Sequence, residues 1–209
     1  LVWTAHSFYA IHHGMLGKRL WLKGWTQRLA EWLLARMADR RIVPSQMLMD
    51  EATAAGMLPR QAEVIPNGID DDWLTEGPRQ APPRPMAKIF GHFLDVKGIK
   101  HIPAILASLP AGYRLEWIGH NEDDPVQKDA ARNFKTLCDE ERFNIMPPVP
   151  HAHVRDHLDD AAMVLVPSLV ETFSFVVIEA AARGVPLCVA PGVALAQEVE
   201  RSRAGLVVD

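Results

Sequence analysis

The sequence predicts a doubly wound α/β protein, and three observations predict it. From residue 87 onward, short apolar runs alternate with longer segments of helical spacing, the pattern of strands joined by crossover helices. The run "AAMVLVPS" (161–168) is apolar before its final Pro-Ser, as a central strand of a parallel sheet covered on both faces must be. The stretch "PNGIDDDWLTEGPRQAPPRPM" interrupts the pattern. Pro66 pre-sets one backbone angle, Asn67-Gly68 supplies positive φ, and four prolines follow Gly77. These signals divide the chain into a first domain over 1–70, a linker over 71–85 and a second domain over 86–209.

The elements follow in order. "LVWTA" reads as a strand, then come a long helix near 18–39, a strand "RIVPS", a helix near 46–56 and a strand "AEVI". In the second domain "AKIFG" (87–91) is a short buried strand. Residues 96–109 carry helical spacing at Ile99, Ile102, Ile105, Leu106 and Leu109, with Pro103 limiting the first part. "YRLEWIG" (113–119) is a strand, 126–141 a polar helix and 142–146 a weak strand. After the run at 161–168, "FVVIEAAARG" (175–184) is a helix stopped by Gly184 and Pro186. "PLCVA" (186–190) is a strand, 194–203 a helix and "GLVVD" the last strand.

Composition excludes several classes. With 209 residues and 48% hydrophobic content the chain can build real cores. A net charge of -4 gives no nucleic-acid signal. Two cysteines, Cys138 and Cys188, exclude a disulfide framework and fit a reducing, cytoplasmic setting. No apolar run reaches membrane-spanning length, and the first residues lack the basic region of a signal peptide. The absence of an initial Met suggests a partial sequence.

Two segments can carry chemistry. "ETFSFVVIE" places Glu171 and Glu179 at the ends of an apolar run. Residues 171–174 fall between a strand end and a helix start, where ligands of doubly wound folds sit and free N–H groups hold anions. Were the interval helical, the two carboxylates would stand roughly 12 Å apart, comparable to a nucleotide sugar from hexose to ribose. The alternative is a solvated Glu179 and a first-turn Glu171 favoured by the helix dipole. In "FGHFLDVKG" (90–98) a strand ends at Gly91 and Lys97-Gly98 opens a helix. A lysine there opposes the dipole unless an anion lies between, the alternative being a surface lysine. Neither a dinucleotide nor a P-loop fingerprint is present.

Two further segments are ambiguous. "HAHVRDH" sets His153 and His157 four apart with His151 nearby, a metal-ligand spacing without a fixed third ligand or a cysteine. The basic, Trp-containing segment 17–41 fits either a membrane-surface helix or one packed on a sheet.

These residues resemble the GT-B retaining glycosyltransferases of the family 4 type (glycosyl transferases group 1). The carriers are the E-x7-E pair Glu171 and Glu179, "GHFLDVKG" where the family has G-R-x4-K-G, and "VIPNGID" (64–70). The resemblance covers nearly the whole chain. It implies two Rossmann-like domains, the N-terminal one truncated and the C-terminal one lacking its last helices. It assigns Lys97, His92 and Ser174 to the donor diphosphate, and Glu171, Thr172 and Phe173 to the transferred sugar. Glu179 would bind the ribose, and the turn at Met146, Pro147 and Pro148 would line the base pocket. His6, in "TAHS", would face the donor sugar and join Lys97 as a catalytic residue. No metal or other cofactor is implied.

The sequence departs from the family in three places. His92 stands where the family prefers Arg, Ser174 replaces a frequent Gly, and Pro147 removes a backbone donor. The expected reaction is transfer of a sugar from a nucleotide diphosphate sugar to a glycan, lipid or small-molecule hydroxyl, in the cytoplasm or peripherally at the inner membrane face through 17–41. The alternatives are a non-catalytic nucleotide-sugar-binding subunit and a GT-B nucleotide-sugar epimerase. The chain alone is expected to bind donor without turnover.

Overall fold

The computed structural model describes residues 2–6, 21–58, 62–74, 79, 82, 85–135 and 142–208, with the backbone alone over 21–28. The chain divides into two compact units, Leu1–Gly68 and Ile69–Asp209.

The first unit holds three parallel strands, β1 (Val2–Thr4), β2 (Arg40–Val43) and β3 (Ala62–Val64), with β2 in the middle. Helix α1 (Trp21–Met37) precedes β2, and α2 (Gln46–Ala54) joins β2 to β3. Ser45 starts α2 from an extended conformation, and its hydroxyl accepts from the Leu48 amide at 3.2 Å, satisfying one orphan donor. Ala35, Val43, Leu48, Ala52, Met57 and Leu58 form the core. The described side chains of α1 leave Leu29, Leu33, Leu34 and Met37 exposed, and the Arg36 guanidinium lies 3.7 Å over the Trp32 ring. The side chains of Trp21 and Trp25 lie outside the described residues.

The second unit is a six-stranded parallel sheet ordered β6 (Phe143–Met146), β5 (Arg114–Ile118), β4 (Met86–Phe90), β7 (Met163–Val166), β8 (Leu187–Val189), β9 (Gly205–Val207). Counted from β4 the order is 3-2-1-4-5-6, the doubly wound arrangement. Helices α3 (Ile102–Ser108), α4 (Pro125–Lys135), α5 (His151–Asp159), α6 (Phe175–Ala182) and α7 (Ala196–Ser202) connect the strands. One face buries Ile89, Leu115 and Trp117 against Ile102, Leu106 and Phe134. The other buries Val164, Val166 and Val189 against Leu158, Val177 and Val199. In β7, Leu165 joins the first core while Val164 and Val166 join the second, which is why that run is apolar at successive positions.

Several elements differ from the sequence expectation. Residues 96–109 do not form one helix. Two 3-10 turns, Asp95–Lys97 and Ile99–His101, precede α3, and Gly98 between them has φ 88°. Lys97 therefore ends a turn and does not open a helix. The polar helix expected over 126–141 runs over Pro125–Lys135, and 136–141, with Cys138, lie outside the described residues. Residues His151–Asp159, read only as a metal-ligand spacing, are a helix. Within the expected linker, Asp71–Trp73 is a 3-10 turn whose Trp73 is buried in the second core. Lys88, in the middle of β4, is only 2% exposed and lies 3.4 Å from Glu116 and 3.5 Å from Asp160, as a buried ammonium requires.

Candidate active site

Strand order reverses between β4 and β7, so the loops leaving their carboxyl ends flank one crevice. The two loops are joined: the Leu169 amide donates to the Val96 carbonyl at 2.9 Å. Gly98 makes the approach possible, because a Cβ there would stand 2.1 Å from the Pro167 carbonyl oxygen. On the other side Gly119, at the end of β5, has φ 124° and leaves no room for a Cβ against the Gly91 carbonyl.

Across this junction Lys97 Nζ forms an ion pair with Glu171 Oε2, which also accepts from the Ser168 hydroxyl at 3.3 Å. The aliphatic stem of Lys97 covers Gly91. The backbone of Glu171 is held at both ends by the loop after β8: its amide donates to Gly192 at 3.0 Å and its carbonyl accepts from Ala194 at 2.9 Å. Glu171 is therefore in an extended segment bridged to Val193, and only the second half of the interval to Glu179 is helical. The helix-based separation of roughly 12 Å does not apply as derived. Ser174 is the N-cap of α6, with extended backbone and no capping bond from its hydroxyl. The first N–H groups of a helix have no acceptor within it. Phe173 is buried, with its ring 5.5 Å from that of Phe175, and Thr172 is half-buried.

Glu179 is not on a solvated face. It is 4% exposed, and His151 Nε2 lies 3.0 Å from its Oε1. The Met146 carbonyl accepts from the Gly119 and His120 amides at 3.1 and 3.0 Å, and Pro147 and Pro148 are exposed. His92 is exposed, with Nδ1 3.5 Å from Gln127 Nε2. His6 is exposed just past β1 in the first unit. The three clustered histidines diverge: His151 meets Glu179, His153 lies 3.5 Å from Asp156, and His157 lies 3.9 Å from Glu116. Among the described residues no three potential metal ligands converge.

Gln127 escaped sequence reasoning. Fully buried on α4, it accepts through Oε1 from the Phe93 amide at 3.0 Å and the Asn121 amide at 3.1 Å, tying the loops after β4 and β5 together. It donates to Asp124 Oδ2 at 3.0 Å, while Asp124 Oδ1 accepts from the Val126 amide at 2.9 Å. The bond from Gln127, then that from Val126, hold the Asp124 carboxyl below the usual carboxylate range. A depressed carboxylate contributes stability that is present above its unfolded value and is lost as pH falls through its folded value. Asp124→Asn is therefore expected to reduce stability at pH 7, with the difference from the parent shrinking below about pH 4. Urea unfolding at pH 7, 4 and 3 checks this, and a constant difference across the series would contradict it.

The model of the glycosyltransferase family 4 matches residues 1–73, and that of the glycosyl transferases group 1 matches residues 91–209. The D-inositol 3-phosphate glycosyltransferase of Mycobacterium sp. (strain KMS) is 26% identical, over 100% of this chain and 50% of its own length. The chain thus spans about half the length of the curated relatives it matches. Among solved structures, the sucrose-phosphate synthase of Thermosynechococcus elongatus superposes with a TM-score of 0.81 at 21% identity, covering 99% of this chain and 54% of that one. Anabaena HepE, solved in complex with UDP-glucose, gives 0.79 at 21% identity, covering 100% and 58%. WaaG, a glycosyltransferase involved in lipopolysaccharide biosynthesis, gives 0.75 at 16% identity, covering 99% and 60%. These likenesses show the GT-B fold.

Proposed function

This chain belongs to the glycosyl transferases group 1 family, and we propose that it serves a retaining transfer of a sugar from a nucleotide diphosphate sugar to an acceptor hydroxyl. The observation that carries the proposal is the Lys97–Glu171 pair at the strand-order reversal, beside the N-terminus of α6. In this reading the bond between the anomeric carbon and the diphosphate oxygen breaks, and the charge passes to the diphosphate. Lys97 and the amides of 172–174 stabilise that charge, an electrostatic contribution available before the bond breaks. His92 adds a further donor to the diphosphate.

Glu171 keeps the Lys97 ammonium in place without ligand and accepts hydroxyls of the sugar when it binds. The acceptor oxygen forms the new bond to the anomeric carbon on the face the diphosphate leaves, and its proton passes to the departing diphosphate oxygen. No side chain serves as a covalent nucleophile, because Glu171 is assigned to binding. Glu179 accepts the ribose hydroxyls, and the turn at Met146, Pro147 and Pro148 borders the base. The role of His6 at the donor sugar rests on the family pattern.

Glycan, lipid and small-molecule acceptors all fit this reading. Among the described residues no helix is long and apolar enough to cross a membrane. A peripheral contact through α1 would use its exposed Leu29, Leu33, Leu34 and Met37.

Calorimetry with UDP-, GDP- and ADP-sugars tests the proposal. One nucleotide sugar should bind, with most of the affinity retained by its nucleoside diphosphate and little by its nucleoside or free sugar. Equal affinity for nucleoside and nucleoside diphosphate would sink it.

A further inference from the structure

Glu179 presents an unfinished hydrogen-bond account. The side chain is 4% exposed, and a carboxylate can accept about four hydrogen bonds, yet its one side-chain partner among the described residues is His151. A carboxylate only accepts, so Nε2 of His151 carries the proton in this contact. His151 is not there to fill the core, since its side chain is 73% exposed.

The position of His151 is fixed nonetheless. It is the first residue of α5, entered through Pro150. Its ring lies 5.5 Å from that of Trp73, which is almost fully buried. Trp73 is in turn held to α5: the Arg155 guanidinium stands 5.4 Å from the indole and pairs with Asp72 at 2.8 Å. A glutamate side chain has three rotatable bonds, and fixing them costs conformational entropy. A site that fixes them beforehand leaves more of the binding energy for the ligand.

We propose that His151 is the positioning residue for Glu179: it takes Oε1, fixes the carboxylate against the Trp73–α5 corner, and leaves Oε2 for a ribose hydroxyl. The inference deepens, and rests on, the assignment of Glu179 to the ribose.

The test compares ribose with 2'-deoxyribose nucleotides by calorimetry on the 209-residue chain. The probe is whichever of UDP, GDP and ADP binds tightest, together with its 2'-deoxy counterpart. The parent should prefer the ribose form by about tenfold or more. Glu179→Gln should bring that preference close to one. His151→Ala should cut it to about threefold or less, mainly by weakening the ribose form. His151→Gln, whose amide donates to the same oxygen, should restore it to within about twofold of the parent.

Because His151 is exposed, its variants should keep the parent circular dichroism spectrum, and His151→Gln, which still donates to Glu179, should also keep the melting point. If Glu179→Gln removes the preference and His151→Ala does not, the positioning role fails while the ribose assignment stands. A His151→Gln variant no better than His151→Ala also overturns it, as does tighter ribose binding by His151→Ala, which would make the imidazole a competitor. A preference unchanged in Glu179→Gln, or no binding of any of the three nucleotides, overturns the ribose assignment itself.

Discussion

Gly98→Ala is expected to destabilise the second unit by roughly 3–5 kcal/mol, because two costs fall on one methyl group. The backbone of Gly98 has φ 88°, a region that costs an L-residue free energy wherever it occurs. The added Cβ would also stand 2.1 Å from the Pro167 carbonyl oxygen, and the atom in the way is backbone. Neither cost can be relieved alone. Rotating Gly98 out of its conformation breaks the joint between the two 3-10 turns, and moving Pro167 pulls the end of β7 away from Leu169 and its bond to Val96. Urea unfolding followed by tryptophan fluorescence measures the loss, and the variant should lose nucleotide binding with it. A loss below about 1 kcal/mol would mean that the two loops are not packed as closely as described.

Lys97→Met should weaken nucleoside diphosphate binding by roughly 30- to 100-fold while leaving nucleoside binding within about threefold of the parent. The substitution keeps the apolar stem over Gly91 and removes only the charge. A charge-assisted bond to the diphosphate is worth roughly 1.5–3 kcal/mol. The variant also leaves Glu171 without its cation, so a carboxylate faces the incoming anion with the Ser168 hydroxyl as its one remaining side-chain partner among the described residues. Adding Glu171→Gln to Lys97→Met should therefore recover part of the diphosphate affinity, a non-additivity expected of residues in contact. Equal losses for nucleoside and nucleoside diphosphate would place Lys97 away from the phosphates.

Much of this architecture is legible in the sequence because the signals are local. The run through Val164, Leu165 and Val166 announces a strand covered on both faces, since each position must meet a core. Helix α6 is announced by its apolar length and the Gly184-Val185-Pro186 stop. The sequence sets Lys97 and Glu171 each in a loop after a strand, but their ion pair shows only in the structure. What the sequence hides depends on packing between distant segments. The absence of a Cβ at position 98 is demanded by Pro167, a residue far along the chain, and without that knowledge the spacing of Ile99, Ile102 and Ile105 suggested one continuous helix. Periodicity gives no warning that Lys88 is buried, because its partners Glu116 and Asp160 come from β5 and the end of α5. Gln127 reads as a polar residue on a polar helix, although its amide joins two loops. His151 drew notice only for its spacing from other histidines, whereas its partner Glu179 lies in the next helix.

In the proposed function a nucleoside diphosphate sits at the β4–β7 reversal. Backbone amide NMR of the chain titrated in turn with UDP, GDP and ADP tests it most directly. Shifts should concentrate on residues 91–98 and 168–175, with smaller ones at His151 and Glu179. Shifts confined to the opposite ends of the strands, around Gly184 and Ala204, or no shifts with any of the three, would contradict it.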